Sequence, residues 1–280
     1  MSPFLLAPGT RVLVRDDTTL QIGLDTARAS IIETPCAQAL ARSLRSWHRP
    51  APRDAAVEWF HASGLPRPHA AEVFDDLLAA GVLRDASPAS VLIVGDSPLA
   101  THLSRLLGAA GISVRIPLFR ESLTEVLASG GHRRPTVLVD QLHLDDRACL
   151  DIVARSPTIV PVSLLDDRGL IGPLRLAGQG ACPLCAALHF VRRDPMFHLL
   201  NRQAAQNGTG TDDAVAVAAT AAAAAGVIHR LLGLGHPALK DVPAPAAGDC
   251  CLVTPYEPHA SRRFTLAEHP GCPACYAARG

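Results

Sequence analysis

Two cysteine pairs carry the strongest chemical signal in the chain. Cys182-Pro183-Leu184-Cys185 and Cys272-Pro273-Ala274-Cys275 repeat one Cys-Pro-x-Cys pattern about ninety residues apart. Each pair can fold into a tight turn that offers two sulfurs to one side, and two such turns supply four thiolates for one tetrahedral ion. Zinc suits an all-thiolate set. A redox dithiol needs only one pair, and a disulfide does not need two identical turns. Two unrelated pairs of buried cysteines is the competing reading. A closed four-sulfur shell leaves no position for water, so the zinc is expected to be structural. His189 and His198 follow the first pair but are read as helix surface or packing, because four cysteines already complete the shell. Cys36, Cys149, Cys250 and Cys251 share no such spacing and are assigned no chemistry.

A second candidate lies after the apolar run Ser90-Val-Leu-Ile-Val-Gly95, where a strand turns into a helix. Nucleotide-binding turns use glycines so that backbone N–H groups can approach phosphate at the helix start. Gly95 is present here, but Ser97 and Ala100 stand where further glycines would be, and Pro98 removes a donor. The next strand ends in Leu118-Phe119-Arg120, with Glu121 as the nearest carboxylate for a ribose. The sequence therefore points to a retained fold whose phosphate site has decayed, and ATP is not expected to bind this chain. Gly95 and Asp140, at the end of Pro135-Thr-Val-Leu-Val-Asp140, mark the vestigial cofactor site.

The elements that must hold these residues fall into two blocks. Arg11–Arg15, Thr19–Leu24 and Ala29–Glu33 are short alternating runs with the spacing of a strand meander. Thr34-Pro35 reads as the start of a helix over Ala37–Trp47; Arg53–Ala62 and Pro68–Ala80 follow as helices, the last ended by Gly81, with Val73, Leu77 and Leu78 on one face. Three strands then three helices fit a winged-helix-like module over residues 1–87. After a polar linker, strands expected at Ser90–Gly95, Ile112–Leu118, Pro135–Asp140 and Thr158–Ser163 alternate with helical patterns, predicting a doubly wound α/β domain over residues 88–280. Gln206–Asp212 reads as disordered and Val242–Asp249 as a flexible turn.

Composition narrows the function classes. The chain has 280 residues, 48% of them hydrophobic, enough for two ordinary domains. Its 26 basic residues balance 26 acidic ones, so no general attraction to nucleic acid or anionic lipid is built in. A winged-helix DNA-binding regulator is disfavoured further by the third helix, which carries Glu72, Asp75 and Asp76 and no lysine or arginine beyond its start. Its acidic and apolar character suits a peptide, and an exposed third strand offers an edge to one. Met1–Pro8 has neither the basic flank nor the apolar core of a secretory signal, which points to a cytoplasmic protein. Ala214–Gly226 is too short to cross a bilayer and reads as a buried helix, so no membrane partner is expected.

The stretch GPLRLAGQGACPLC from Gly172 to Cys185, the following Asp194-Pro195 and the final HPGCPAC from His269 to Cys275 resemble the ThiF-like proteins of thiazole/oxazole-modified peptide biosynthesis. These are described as bacteriocin cyclodehydratase-domain or leader-peptide-binding proteins. Gln21-Ile-Gly-Leu-Asp25 is similar to the family's N-terminal module. The resemblance implies an α/β chain with a winged-helix-like RiPP recognition element, then a ThiF/MoeB-type doubly wound domain with a structural zinc site. It implies that a precursor leader peptide adds a strand along Ser30, Ile31, Ile32 and Glu33 and packs on Val73, Phe74 and Leu77. The bound peptide would be presented to a separate YcaO-domain cyclodehydratase, which forms thiazoline and oxazoline rings with ATP. Adenylating members of the wider superfamily use a lysine near the transferred phosphates, and Lys240, the only lysine here, falls outside the nucleotide-binding half. This chain thus resembles a scaffold subunit more than an ATP-dependent adenylating enzyme, and the resemblance leaves a homodimer open.

Overall fold

The computed structural model describes residues 2–118, 121–129, 134–142, 146–206, 213–239 and 242–279. Phe119, Arg120, Lys240 and the loop expected at 207–212 lie outside them. The chain divides into two compact units, Met1–Pro88 with His229–Ala244, and Ala89–Ile228 with Pro245–Gly280. The return of His229–Ala244 to the first unit was not foreseen in the sequence.

The first unit runs β1 (Pro3–Leu6), β2 (Val12–Asp16), β3 (Thr19–Ile22), β4 (Ser30–Glu33), α1 (Ala37–Arg45), β5 (Ala51–Pro52), α2 (Arg53–Ala62), α3 (Arg67–Ala79) and β6 (Leu83–Asp85). β2, β3 and β4 form the expected antiparallel meander. β1, β5 and β6 form a second small sheet that the sequence analysis did not foresee. Its strands are two to four residues long, too short for an alternating pattern to register. α1 begins at Ala37 as expected and ends at Arg45, two residues short of the expected Trp47, but its N-cap falls two residues after the Thr34 that the sequence suggested. Cys36 stands at its N-cap, and the Thr34 hydroxyl lies 3.4 Å from the Cys36 N–H.

Tertiary packing overrides the expected stripe on α3. Its buried residues are Ala70, Phe74 and Leu77, spaced to face the core, while Val73 and Leu78 are only half-buried. Phe74 is fully buried, meets Phe4 edge-to-face at 5.2 Å and lies under the Arg53 guanidinium at 5.4 Å. Arg53 also forms a two-pronged bond to Asp75, at 3.2 and 2.7 Å, which offsets part of that helix's acidity.

The second unit runs β7 (Ala89–Val94), α4 (Pro98–Ala109), β8 (Ile112–Arg115), α5 (Leu123–Ser129), β9 (Thr136–Val139), α6 (Asp146–Arg155), β10 (Ile159–Leu165), β11 (Arg168–Ile171), α7 (Pro183–Arg193), α8 (Phe197–Gln206), α9 (Ala214–Leu231), β12 (Asp249–Val253), β13 (Arg262–Thr265) and α10 (Pro273–Ala277). The seven-stranded sheet has the order β13-β12-β11-β10-β9-β7-β8. Its β8, β7, β9 and β10 are parallel, with near-continuous apolar runs such as Val137–Val139 that suit strands covered on both faces. Beyond the four strands expected from the sequence, the sheet continues with three more. Asp166, at φ 56°, helps turn β10 tightly back into β11, and β11, β12 and β13 continue antiparallel to the free edge.

α9 is the one helix among the described residues long and apolar enough by composition to cross a membrane, and about 33% of its apolar window is buried. The buried helix expected over Ala214–Gly226 runs on to Leu231 and is covered on one face only. Ala216, Val217, Thr220, Ala221, Ala224 and Ile228 form the covered face. It lies directly on the sheet, for a Cβ at Gly169 of β11 would meet Thr220 Oγ1 at 2.0 Å.

Candidate functional site

The four spaced cysteines converge. Cys182 is the N-cap of α7 and Cys272 the N-cap of α10, each followed by proline at the first helical position. Cys185 and Cys275 sit one turn further, so each short helix start aims two sulfurs at the same point. The Sγ atoms of Cys182 and Cys185 are 3.8 Å apart, those of Cys182 and Cys272 3.5 Å, and those of Cys185 and Cys275 3.5 Å. All four lie within 4.8 Å of one another and all four residues are buried. A tetrahedron with zinc–sulfur bonds of about 2.3 Å has edges of about 3.8 Å, so the donor set fits zinc with no ligand to spare.

The surroundings supply positive charge and N–H donors, as an anionic thiolate shell requires. The His269 N–H lies 3.3 Å from Cys185 Sγ, and Arg175 Nη1 lies 3.7 Å from Cys275 Sγ while donating to the Gly180 carbonyl at 2.7 Å. Arg175 is 3% exposed, with Glu268 at 3.9 Å. The hydrogen bond from Cys182 and the His269 N–H hold the Cys185 thiol well below its ordinary value of 9.0. Burial first, then bonding to Cys185, pushes Cys275 up to about 12. Arg175 was not singled out from the sequence; its signal was a single charge in the apolar stretch Gly172–Ala177. The histidines are not ligands in this geometry: His189 Nε2 lies 3.0 Å from the Ala267 carbonyl, and His198 is exposed.

In the first unit, β4 is an outer strand. Its partner β3 pairs Leu20 with Ile32 and Ile22 with Ser30, and Thr34 N–H bonds to Thr18 O at 2.7 Å. By alternation, the backbone N–H and C=O groups of Ile31 and Glu33 point away from β3. They meet no strand among the described residues. The Ile31 side chain is 52% exposed. Phe74 and Leu77, expected on the peptide surface, are withdrawn into the core at 0% and 2% exposure, so they can only support it from beneath.

A cavity of about 540 Å³, which no sequence signal indicated, adjoins the start of β4. Ile22, Leu24 and Ser30 line it together with Val82 and the His236–Ala238 turn. Gly81 permits that arrangement, for at φ 69° it passes so close that a Cβ would meet the His236 backbone at 2.8 Å.

Gly95 and Asp140 stand at the carboxyl ends of β7 and β9, in the crevice where strand order reverses. Both sit tightly against neighbouring elements. A Cβ on Gly95 would lie 2.4 Å from the Val139 carbonyl. The Asp140 carboxylate accepts from the Ser97 hydroxyl at 2.5 Å and the Leu164 N–H at 2.9 Å. Ser97 also accepts from the Ala100 N–H at 3.3 Å, capping α4. Glu121, the alternative ribose carboxylate, instead accepts from the Leu118 N–H, which does most to lower its pKa, and from Arg115 at 2.6 and 2.7 Å.

No protein-family model matches the chain, and no curated protein matches it. Among solved structures, a heterocyclase in complex with substrate and cofactor is similar with a TM-score of 0.56 at 15% identity, over 98% of this chain and 40% of that one. Heterocyclase TruD is similar with a TM-score of 0.55 at 16% identity, over 98% and 43%. The microcin C7 biosynthetic enzyme MccB in complex with N-formylated MccA gives 0.51 at 12% identity, over 98% and 99%. The chain therefore spans about two fifths of the heterocyclases' length and almost all of MccB's. At these identities the likeness is one of fold.

Proposed function

We propose that this chain serves RiPP biosynthesis as the subunit that binds the leader of a ribosomal precursor peptide and presents it to a separate YcaO-domain cyclodehydratase. The observation that carries the reading is the bare outer edge of β4, with two outward-facing residues, Ile31 and Glu33, and a cavity at its start. An extended leader adds a strand there, its backbone bonding to Ile31 and Glu33 and its alternate side chains reaching the cavity and Val73 of α3. Ser30 and Ile32 fix the register of that edge from the inner side. The likeness in fold to heterocyclases more than twice as long supports assigning ring formation to a partner, since this chain corresponds to only 40–43% of them. In this reading the four-cysteine site is a structural zinc centre that holds α10 against α7.

A second reading, adenylation by this chain itself, draws on the near full-length likeness to MccB. The Asp140 carboxylate, bonded to Ser97 and Leu164, and the proline at the start of α4 weigh against it. Pyrophosphate exchange with a precursor peptide tests it directly.

The main test is fluorescence polarisation of labelled leader segments, from any precursor peptides encoded near this chain's gene, added to the full chain. Saturable binding that Ile31→Asp weakens about tenfold, a loss of about 1.4 kcal/mol, is expected. A leader that does not bind, or binds the variant equally, defeats the proposal.

A further inference from the structure

The second unit carries another bare strand edge, and its chemistry differs from that of β4. β13 ends the seven-stranded sheet, and all four of its residues are exposed. Leu266 N–H bonds to Gly248 O at 2.9 Å and Phe264 pairs with Cys250, so by alternation Arg263 and Thr265 direct their backbone groups outward. Between this strand and α7 lies a cavity of about 450 Å³ with apolar walls from Leu170, Pro173, Phe190 and Leu266. Phe264, 42% exposed, lies across its rim, and Phe190 is braced by stacking on Phe197 at 4.6 Å.

Arg192 and Arg193 also line this cavity, and Arg262 and Arg263 begin the adjoining strand. None of the four forms an ion pair with a described residue, whereas six other arginines do: Arg28, Arg53, Arg67, Arg115, Arg175 and Arg279. Three unmatched cations on the cavity's side of the sheet, Arg192, Arg193 and, by alternation with Phe264, Arg262, together with the outward backbone groups of Arg263 and Thr265, call for carboxylates, an apolar side chain and an extended backbone together. A polyanion such as nucleic acid would meet the charges but not the apolar cavity or the strand edge, and the chain as a whole carries no net charge to attract one.

We propose that the β13 edge and the cavity beside it form a docking site for an extended acidic peptide segment, one that pairs with Arg263 and Thr265, places an apolar side chain beside Phe264 and sets carboxylates against Arg192 and Arg193. This site is independent of the leader edge on β4.

The test uses the full chain and a fluorescein-labelled octapeptide alternating glutamate with valine and phenylalanine. Saturable binding is expected, weakened about tenfold by the double variant Arg192→Glu, Arg193→Glu, retained in Ile31→Asp, and absent for the same peptide with lysine in place of glutamate. No saturation up to about 1 mM, equal binding by the double variant, loss of binding in Ile31→Asp, or tighter binding of a DNA duplex overturns the proposal. Should the double variant unfold, hydrogen exchange on the wild-type chain decides. Slowed exchange of the Arg263 and Thr265 amides on adding the peptide supports the site, and unchanged exchange sinks it.

Discussion

Replacing Cys275 with serine removes one corner of the sulfur tetrahedron, and its cost can be worked from the chain. The two knuckles join positions far apart in sequence, with Cys182 and Cys272 separated by 90 residues. If the bound ion acts as a cross-link, the loop-closure entropy it removes from the unfolded chain is worth about 4.6 kcal/mol for a loop of this length at 25 °C. Spread over the melting entropy of a unit of about 180 residues, that corresponds to a fall in melting temperature on the order of 10 °C. Serine also leaves Arg175 and the other three buried sulfurs with an incomplete shell, which adds to the loss. The assay is zinc content of the purified chain by atomic emission, paired with calorimetric melting with and without a chelator. Wild type should carry about one zinc per chain and lose about the same 10 °C to the chelator, while Cys275→Ser should be metal-poor and insensitive to it. A serine variant with full metal and unchanged melting, or a wild-type chain indifferent to chelation, would refute the reasoning.

Two other outcomes follow from named residues. Phe74→Ala should cost about 3–5 kcal/mol in denaturant unfolding of the first unit, because the ring is fully buried between Phe4 and Arg53; a loss below about 1 kcal/mol would contradict that packing. The Asp213 carboxyl lies below its ordinary value of 3.8, first because the Tyr256 hydroxyl donates to it at 2.7 Å and then through N–H bonds from Ala216 and Val215. Its depressed value means that the contribution to stability is present above pH 3.8 and is lost as pH falls through the folded value. Tyr256→Phe should therefore move the Asp213 titration, followed by carboxyl NMR, upward toward 3.8; an unmoved titration would refute the assignment.

What the sequence revealed and what it hid have physical reasons. Arg53–Ala62 was readable to the residue because its helical pattern lies between a proline and a Ser-Gly pair, and the parallel strands because they are buried on both faces. The sulfur cluster was readable because ligand spacing is local to each turn, although the approach of the two turns is not. Strands β11 to β13 were missed because antiparallel pairing continues past the parallel core through a turn, Asp166-Asp167, that the parallel strand pattern does not record. The burial of Phe74 was misread because α3 carries apolar residues at 73, 74, 77 and 78, which allow two adjoining stripes, and only the packing of Phe4 and Arg53 selects one. The cavity beside β4 depends on His236, far along the chain, and no local pattern records such an encounter.

The spacing of the cysteine knuckles also sets a clock. Cys182 and Cys185 leave the ribosome about ninety residues before Cys272 and Cys275, and at 5–20 residues per second that gap lasts roughly 4–18 s. During that interval the first pair is on the nascent chain without the two sulfurs that complete the cluster. In this period the pair is open to oxidation or to capture by a wrong ion. Once the last knuckle arrives, a zinc ion bound by all four sulfurs would close that window for as long as it stays in place.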